Sequence, residues 1–332
     1  LIINSYFEND ILLSSMFIAV ALILNNYVKF ENSQKTLLQM EIDMYKLKKE
    51  NKESKDLLNE SREKNKFITE FFSNISHELK TPLNVIFSSL QMLTIFNENI
   101  EEEIIVKRRK YLKVMKQNSL RLIKLINNLL DMTKYDSGFI SLNSKNGNIV
   151  SLIEDITMSI VSFAENKQIQ IIFDTEVEEK KMAFDADKIE RIMLNLLSNA
   201  LKFTDKGGKI YINIFDHEDS IDISVKDTGI GIPKDKQELI FERFGQVDRT
   251  LRRNYEGTGI GLSLVQSFVE LHKGKIRVNS EIGKGTEFII TLPVYLTEEN
   301  DNEKKEIQNN IIERANIELS DIYEEYTNKI KE

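Results

Sequence analysis

From Leu37 onward the chain keeps a seven-residue count that no short element can carry. Position a holds Leu37, Met44, Asn51, Leu58, Asn65, Phe72 and Leu79, and position d holds Met40, Leu47, Ser54, Ser61, Ile68 and Ile75. A repeat sustained this long specifies a helix. Its apolar stripe specifies a partner helix, because the stripe has nothing else to bury against. Asn51, Ser54, Ser61 and Asn65 make the middle of the seam polar, and buried asparagines favour a parallel dimer at a cost in stability. A marginal seam suits a helix that shifts register or rotates, and a stable spacer with poor heptads fits the pattern equally well.

The count also orients the segment Phe71 to Ile86, FFSNISHELKTPLNVI. Phe72, Ile75 and Leu79 point inward, while His77 falls at position f and Thr81 at position c, on the outer face. A core histidine would sit at a or d, so His77 is presented to solvent. Glu78 follows it directly and Thr81 lies one turn on, on the same face. Pro82 removes a helical hydrogen bond to the carbonyl four residues back, so a distorted turn is expected around the histidine and its acid. After a turn at Asn97–Glu103 a second helix follows. Leu112, Met115, Ser119, Leu122, Ile126 and Leu129 mark its seam, and Gly138 suits a C-cap. Two such helices cannot bury their apolar faces alone, but two chains make a four-helix bundle, so a homodimer is expected.

Ahead of the coil, Ile11–Leu24 carries no charge. It is short of the roughly 20 apolar residues a bilayer span needs. Glu8 and Asp10 precede it, and Lys29, Lys35, Lys46, Lys48 and Lys49 follow. That asymmetry predicts a transmembrane helix with its C-terminal side cytoplasmic, hence a cell-membrane protein. A signal peptide would open with a positive region, and a buried helix is the other alternative. The chain does not open with Met, so a truncated N-terminus with further spans before it is expected.

Beyond Asn148 the pattern changes to alternating helices and strands. Helices are predicted at Leu152–Lys167, Asp187–Phe203 and Leu262–His272, the second opened by Asp187 and Glu190 in capping-box spacing. Strands are predicted at Ile169–Asp174, Lys209–Phe215, Ser220–Lys226, Lys275–Ser280 and Thr286–Leu292. Turns at Asp216–Asp219 and Gly283–Gly285 make most of the sheet antiparallel or mixed, with helices on one face. The fold class is therefore α+β. An N-terminal transmembrane and coiled-coil helix leads to a helical-hairpin dimerisation domain and then an α/β sandwich. The boundaries are 1–30 for the transmembrane segment and flanks, 31–65 for the coil, 66–140 for the hairpin, 147–296 for the sandwich and 297–332 for a tail. In that tail, 297–306 reads as a charged linker, and 307–332 regains apolar residues suited to a helix or short strand packing on the domain.

Several residue groups occur in the sandwich in a fixed order. Asn195 and Asn199 lie one turn apart with Lys202 a turn further, and Phe203 next to it. Asp227-Thr-Gly-Ile-Gly-Ile follows a strand and carries Gly229 and Gly231. Phe241-Glu-Arg-Phe comes next, then Gly257-Thr-Gly-Ile-Gly-Leu-Ser opening a helix, then Gly283-Lys-Gly-Thr-Glu-Phe. Each is weak alone, since glycine clusters usually mark turns. The ordered set resembles the N, G1, F, G2 and G3 boxes of the ATP-binding domain of the sensor histidine kinases, the Bergerat fold. His77-Glu-Leu-Lys-Thr-Pro-Leu resembles the H-box of the same family. The resemblance spans residues 66–294.

What the resemblance implies is specific. ATP with Mg2+ would be bound, Asp227 taking the adenine amino group and Asn199 the metal, with Asn195 beside it. Magnesium prefers oxygen ligands and keeps several waters, so one carboxamide suffices. Lys202 would neutralise phosphate charge and Phe203 pack on the base or lid. The amides around Gly257, Thr258, Gly259, Gly261 and Leu262 would hold phosphate oxygens at a helix N-terminus, with Gly229, Gly231 and Thr286 completing the pocket. Pro233–Glu256 reads as a mobile lid, where Arg249, Arg252 or Arg253 could meet the γ-phosphate; Arg253 is the one carried forward. Gln246 stands where some family members have a basic residue. His77 would take the γ-phosphoryl group with Glu78 managing its second ring nitrogen, and pass it to an aspartate of a separate response regulator. Thr81 would orient a water for the reverse dephosphorylation.

The rest of the sequence limits the alternatives. A net charge of −8 argues against nucleic acid as the partner. The absence of cysteine removes disulfides and thiolate metal sites. No Walker P-loop or dinucleotide fingerprint is present. His217, in a hairpin turn, and His272, at a helix end, are expected to be structural. Two other readings compete: a non-catalytic ATP-binding dimeric scaffold, which would show damaged boxes, and a clamp-type ATPase of the gyrase or heat-shock-chaperone kind, against which the His77 hairpin argues.

Overall fold

The computed structural model describes residues 2–95, 102–242, 259–298 and 307–321. Contacts divide it into two compact units, residues 1–72 and 73–332. Helix α1 runs Ile2–Ile95 and α2 runs Glu102–Asp136. In the first unit the seam residues Leu37, Met40, Met44, Leu47 and Leu58 are all exposed. The apolar stripe that the heptad count draws thus has no cover among the described residues.

One expectation about α1 needs correction, and another finds no support. Pro82 does not interrupt the helix, which continues to Ile95 with the proline ring buried. An interior proline costs a helix about 3 kcal/mol, which packing of its ring can offset. The transmembrane expectation also finds no support, since no helix among the described residues is long and apolar enough to cross a membrane. From Met16, where side chains are first described, only nine uncharged apolar residues precede Asn25 and Asn26. At 1.5 Å per residue they reach about 14 Å of the ~30 Å a bilayer core requires. Residues 11–15 of the run lie outside the described side chains.

In the second unit the seam expected on α2 is not the face that packs within the chain. Leu112, Ser119 and Ile126 are exposed, whereas Gln117, Asn118, Leu125, Asn128, Asp131 and Met132 are buried. Helix α2 gives its more polar face to the sandwich and leaves Leu112, Ile123, Ile126 and Leu130 uncovered. The helix is amphipathic twice over: one stripe serves the sandwich and the other is unpartnered.

The sandwich begins with β1 (Lys145–Asn148), α3 (Ile149–Ser159), α4 (Val161–Lys167), β2 (Gln170–Thr175), β3 (Lys181–Phe184) and α5 (Ala186–Phe203). It continues with β4 (Lys209–Asp216), β5 (Ser220–Asp227), α6 (Gly261–Leu271), β6 (Lys275–Glu281) and β7 (Gly285–Pro293). Five strands make one sheet in the order β2-β4-β5-β7-β6, parallel between β2 and β4 and antiparallel elsewhere. A separate β1–β3 ribbon, absent from the sequence expectation, is too short to show an alternating pattern.

Alternation builds the core. Ile210, Ile212 and Ile214 of β4 pair in register with Asp227, Val225 and Ile223 of β5, and Val225, Ile223 and Ile221 of β5 face Phe288, Ile290 and Leu292 of β7. All are buried. Side chains two apart share one sheet face, so this period alone defines the inward layer. Ile153 and Ile156 of α3, Ile192, Met193 and Leu197 of α5, and Val265, Phe268 and Val269 of α6 supply the opposing layer. The single helix expected at 152–167 is broken at Ile160, which sits near φ −104°, ψ −3° and caps α3.

The start of α5 also departs from expectation. Asp185, not Asp187, is the N-cap, its carboxylate accepting from the Asp187 and Lys188 backbone N–H groups. Glu190 is buried and takes Arg314 at 2.9 Å instead of closing a capping box. The last described element is α7 (Ile307–Glu318), followed by a 3-10 turn at Leu319–Asp321. Of the open alternatives for the tail, the helix is realised.

Candidate functional site

Asp227 closes β5 and is buried. Its Oδ1 accepts from the Gly229 N–H at 2.8 Å and the Thr286 N–H at 3.2 Å, so one oxygen pins two loops. The second oxygen makes no hydrogen bond among the described residues. Burial pushes the carboxyl up from its ordinary value, and the two N–H groups only partly offset that. A carboxylate held this way is set to meet a ligand donor.

Glycine is required around it. A side chain at Gly229 would collide with the Phe203 carbonyl, and one at Gly285, where φ is +99°, would collide with the Asp227 carbonyl. The end of α5 thereby lies directly on the Gly229 loop, and Ile230 N–H reaches the Phe203 carbonyl at 3.4 Å. Thr286 is buried, its hydroxyl paired with Ser280 at 2.9 Å. Gly231 has φ +71° and packs on the Glu281 backbone.

On α5, Asn199 Nδ2 donates to Asn195 Oδ1 at 3.2 Å, confirming the shared face. The Asn195 carboxamide lies against Gly261, the first residue of α6, so the α5 asparagines and the start of α6 meet. Helix α6 has no side-chain cap hydrogen bond and no acid in its own first turn, so nothing within the helix offsets its positive N-terminal end. Gly259 (φ +66°) turns the chain into it, with Leu262 half-buried in the first turn.

Lys202 is half-buried with its ammonium 5.5 Å from the Phe203 ring. Burial lowers its pKa to about 8, helped by Lys124 and Arg121 and opposed by Asp321 and Glu78. His77 and Thr81 are exposed, and the Thr81 hydroxyl donates to the His77 carbonyl at 3.2 Å.

The structure thus gathers Asn195, Asn199, Lys202, Phe203, Asp227, Gly229, Gly231, Gly261 and Thr286 along the edge between the sheet and α5–α6. His77, Glu78 and Thr81 stay on α1. Arg253, Gly257 and Thr258, with Arg249, Arg252, Gln246 and most of the expected lid, lie outside the described residues.

Sequence reasoning missed the supports. His272 is buried, its Nε2 accepting from the Asp185 N–H at 3.1 Å and its Nδ1 facing the Phe268 carbonyl at 2.7 Å. That pattern fixes a neutral ring with the proton on Nδ1. Burial lowers its pKa. The structural role expected for His272 thus has a definite form: it holds the N-cap of α5. Lys124, Glu318 and Asp321 also converge on the site; the four-residue spacing of Ile311, Ala315 and Leu319 was the available signal.

A five-stranded mixed sheet backed by helices, with a buried carboxylate before a glycine turn, defines a Bergerat-type ATPase domain, here preceded by a helical hairpin. Comparison with known proteins agrees. Residues 184–296 match the family described as "Histidine kinase-, DNA gyrase B-, and HSP90-like ATPase", and residues 67–138 match the "His Kinase A (phospho-acceptor) domain". The chain is 35% identical over 236 residues to the sensor histidine kinase WalK of Bacillus subtilis, covering 70% of this chain and 38% of that protein. It is 36% identical over 267 residues to hybrid signal transduction histidine kinase D of Dictyostelium discoideum, covering 79% and 17%. Full-length ShkA in complex with AMPPNP aligns with TM-score 0.52 and 26% identity, over 68% of this chain and 46% of that one. ThkA in complex with the response regulator TrrA aligns with TM-score 0.53 and 22% identity, over 70% and 64%, a likeness of fold. The chain thus carries both domains, and the curated relatives it matches here are histidine kinases. It spans well under half the length of these two curated relatives.

Proposed function

We propose that this chain is an ATP-dependent protein histidine kinase that phosphorylates its own His77 and passes the phosphoryl group to an aspartate of a separate response regulator. The observation that carries the reading is the presence, in one compact unit, of an exposed His77 imidazole and a buried Asp227 carboxylate that pins two glycine-bearing loops. Asp227 accepts from the adenine amino group with its second oxygen. The N-terminus of α6 and Lys202 hold phosphate oxygens. Arg253, Gly257 and Thr258 remain candidates for the same task.

The neutral His77 Nε2 attacks the γ-phosphorus, an N–P bond forms, the bond to the β-phosphate oxygen breaks, and ADP departs with the electron pair. Glu78 stabilises the proton left on Nδ1. The phosphoryl group then moves from nitrogen to a receiver carboxylate, and Thr81 is placed to orient a water in dephosphorylation of the regulator. Asn199, whose Oδ1 makes no hydrogen bond among the described residues, offers the hard oxygen that magnesium takes; when bound, the ion would neutralise developing phosphoryl charge. Asn195 is the adjacent donor.

The uncovered seams on α1 and α2 support a homodimer built as a four-helix bundle. A membrane location rests on the charge asymmetry around Ile11–Leu24 and on the exposed side chains from Met16 to Val28.

His77→Gln tests the proposal. Acid-labile label from γ-labelled ATP should disappear while nucleotide binding persists, and surviving label would overturn the assignment. Nucleotide binding with no label in the parent chain would favour the scaffold reading instead.

A further inference from the structure

The C-terminal segment is seated with a specificity that a loose tail would not show. Ile311, Ala315 and Leu319, four residues apart, are buried against α2, α3 and α5. Arg314 Nη1 reaches Glu190 Oε2 at 2.9 Å on α5. At the other end two carboxylates meet two cations. Lys124 Nζ lies 3.2 Å from Glu318 Oε1 and 3.1 Å from Asp321 Oδ2, and Arg121 Nε lies 3.2 Å from Asp321 Oδ1. The charge of Asp321 also reaches Lys202.

These carboxylates do more than attach a helix. Glu318 Oε1 accepts from Asn195 Nδ2 at 3.2 Å, and the Glu318 carbonyl accepts from Ser198 Oγ at 3.3 Å. Beside them, Asn128, Arg191, Asn195, Gly261 and Glu318 line a space of only about 20 Å³. That volume admits one water and no phosphate group. An acidic side chain therefore sits on the carboxamide face of α5 at the start of α6. The triphosphate would bring three or four negative charges to the same place, and like charges at such range repel strongly where water is excluded. The same carboxylates tie α2, through Lys124 and Arg121, to the asparagine face of α5, so the helix behind the histidine segment and the nucleotide site are clamped together.

We propose that Ile307–Asp321 is an inhibitory latch: Glu318 and Asp321 hold the Asn195 face closed to the phosphate end of ATP, and the segment must leave its groove before nucleotide is bound productively. The inference rests on the nucleotide-site reading above. Binding competence then follows the fraction of molecules with the segment released, so a latch docked nine-tenths of the time weakens apparent affinity about tenfold.

The test uses the full chain and two variants. E318Q/D321N removes the charges and keeps the apolar seat. Ala315→Asp places a charge at a position with no exposure and should expel the segment. Affinity for ATP with magnesium is measured by calorimetry, His77 labelling by initial rate, and release by trypsin cutting at Arg314. The expected result is an affinity about tenfold tighter and faster labelling in both variants, with trypsin cutting enhanced in Ala315→Asp. Unchanged affinity in both variants, with Arg314 newly cut in Ala315→Asp, would overturn the latch while leaving the nucleotide site standing. Weaker binding in E318Q/D321N would also overturn it, by making those carboxylates part of the binding site. No ATP binding in any form, with native circular dichroism, would reject the nucleotide reading itself and the latch with it.

Discussion

Replacing Asp227 with Asn separates its two tasks. In the parent, Oδ1 holds the Gly229 and Thr286 N–H groups at 2.8 and 3.2 Å, and the second oxygen is assigned to the adenine amine. Asn keeps a carbonyl oxygen for the two backbone donors but turns an NH2 group toward the ligand. Folding should hardly suffer. Burial already disfavours the Asp227 charge, and removing it offsets any loss in hydrogen-bond strength. Ala would orphan two buried N–H groups at about 1–3 kcal/mol each, so roughly 2–6 kcal/mol of stability. For the ligand, Asn loses a charge-assisted hydrogen bond worth ~1.5–3 kcal/mol and sets two donors face to face, a further ~1–3 kcal/mol. The sum of about 2.5–6 kcal/mol corresponds to a Kd weaker by roughly 60-fold to 10⁴-fold. Calorimetric titration with ATP, beside a thermal melt of parent, Asn and Ala variants, reads both effects. A Kd within about threefold of the parent for Asp227→Asn, or an Asn variant melting as low as the Ala variant, would refute the reasoning.

Two further outcomes follow from the supports of the site. Gly285→Ala forces a side chain into the Asp227 carbonyl at φ +99° and should cost at least ~3 kcal/mol, or about 10 °C in melting temperature for a domain of this size; an unchanged melt would contradict the packing. His272 is held neutral with a pKa below its ordinary value, so the unfolded chain binds the proton first as pH falls. Stability should therefore be full above about pH 6.5, the unfolded value, and decline as pH drops from there toward the folded one. Urea melts between pH 7 and 5 should show that slope, and His272→Gln should remove it.

The parts of the fold that the sequence made legible are those set by a short period. The two-residue alternation in β4, β5 and β7 placed Ile212, Val225 and Phe288 on one inward layer, and the glycine boxes marked the turns around Asp227. Long-range choices were not legible. Asp185 and Asp187 are equally good helix-starting residues on paper, and long-range bonds from the Asp185 N–H to His272 and from the Asn143 N–H to the Asp185 carboxylate hold Asp185 in the cap. The six-residue seam on α2 was a sound apolar stripe, yet the chain packs its other face, because Lys124 and Asp131 find charged partners there in Asp321 and Arg191.

Residue order alone determined that a long helix exposes His77, that it needs a partner helix, and that a mixed sheet carries Asp227 ahead of a glycine turn. Those follow from periodicity and from backbone conformations that only glycine accepts. Only the tertiary structure decided that Glu318, more than a hundred residues from Asn195, rests on that side chain, and that His272 holds the residue that starts α5. Contacts of that kind depend on how separate elements meet, and an amphipathic pattern records which face is apolar but not what comes to lie against it.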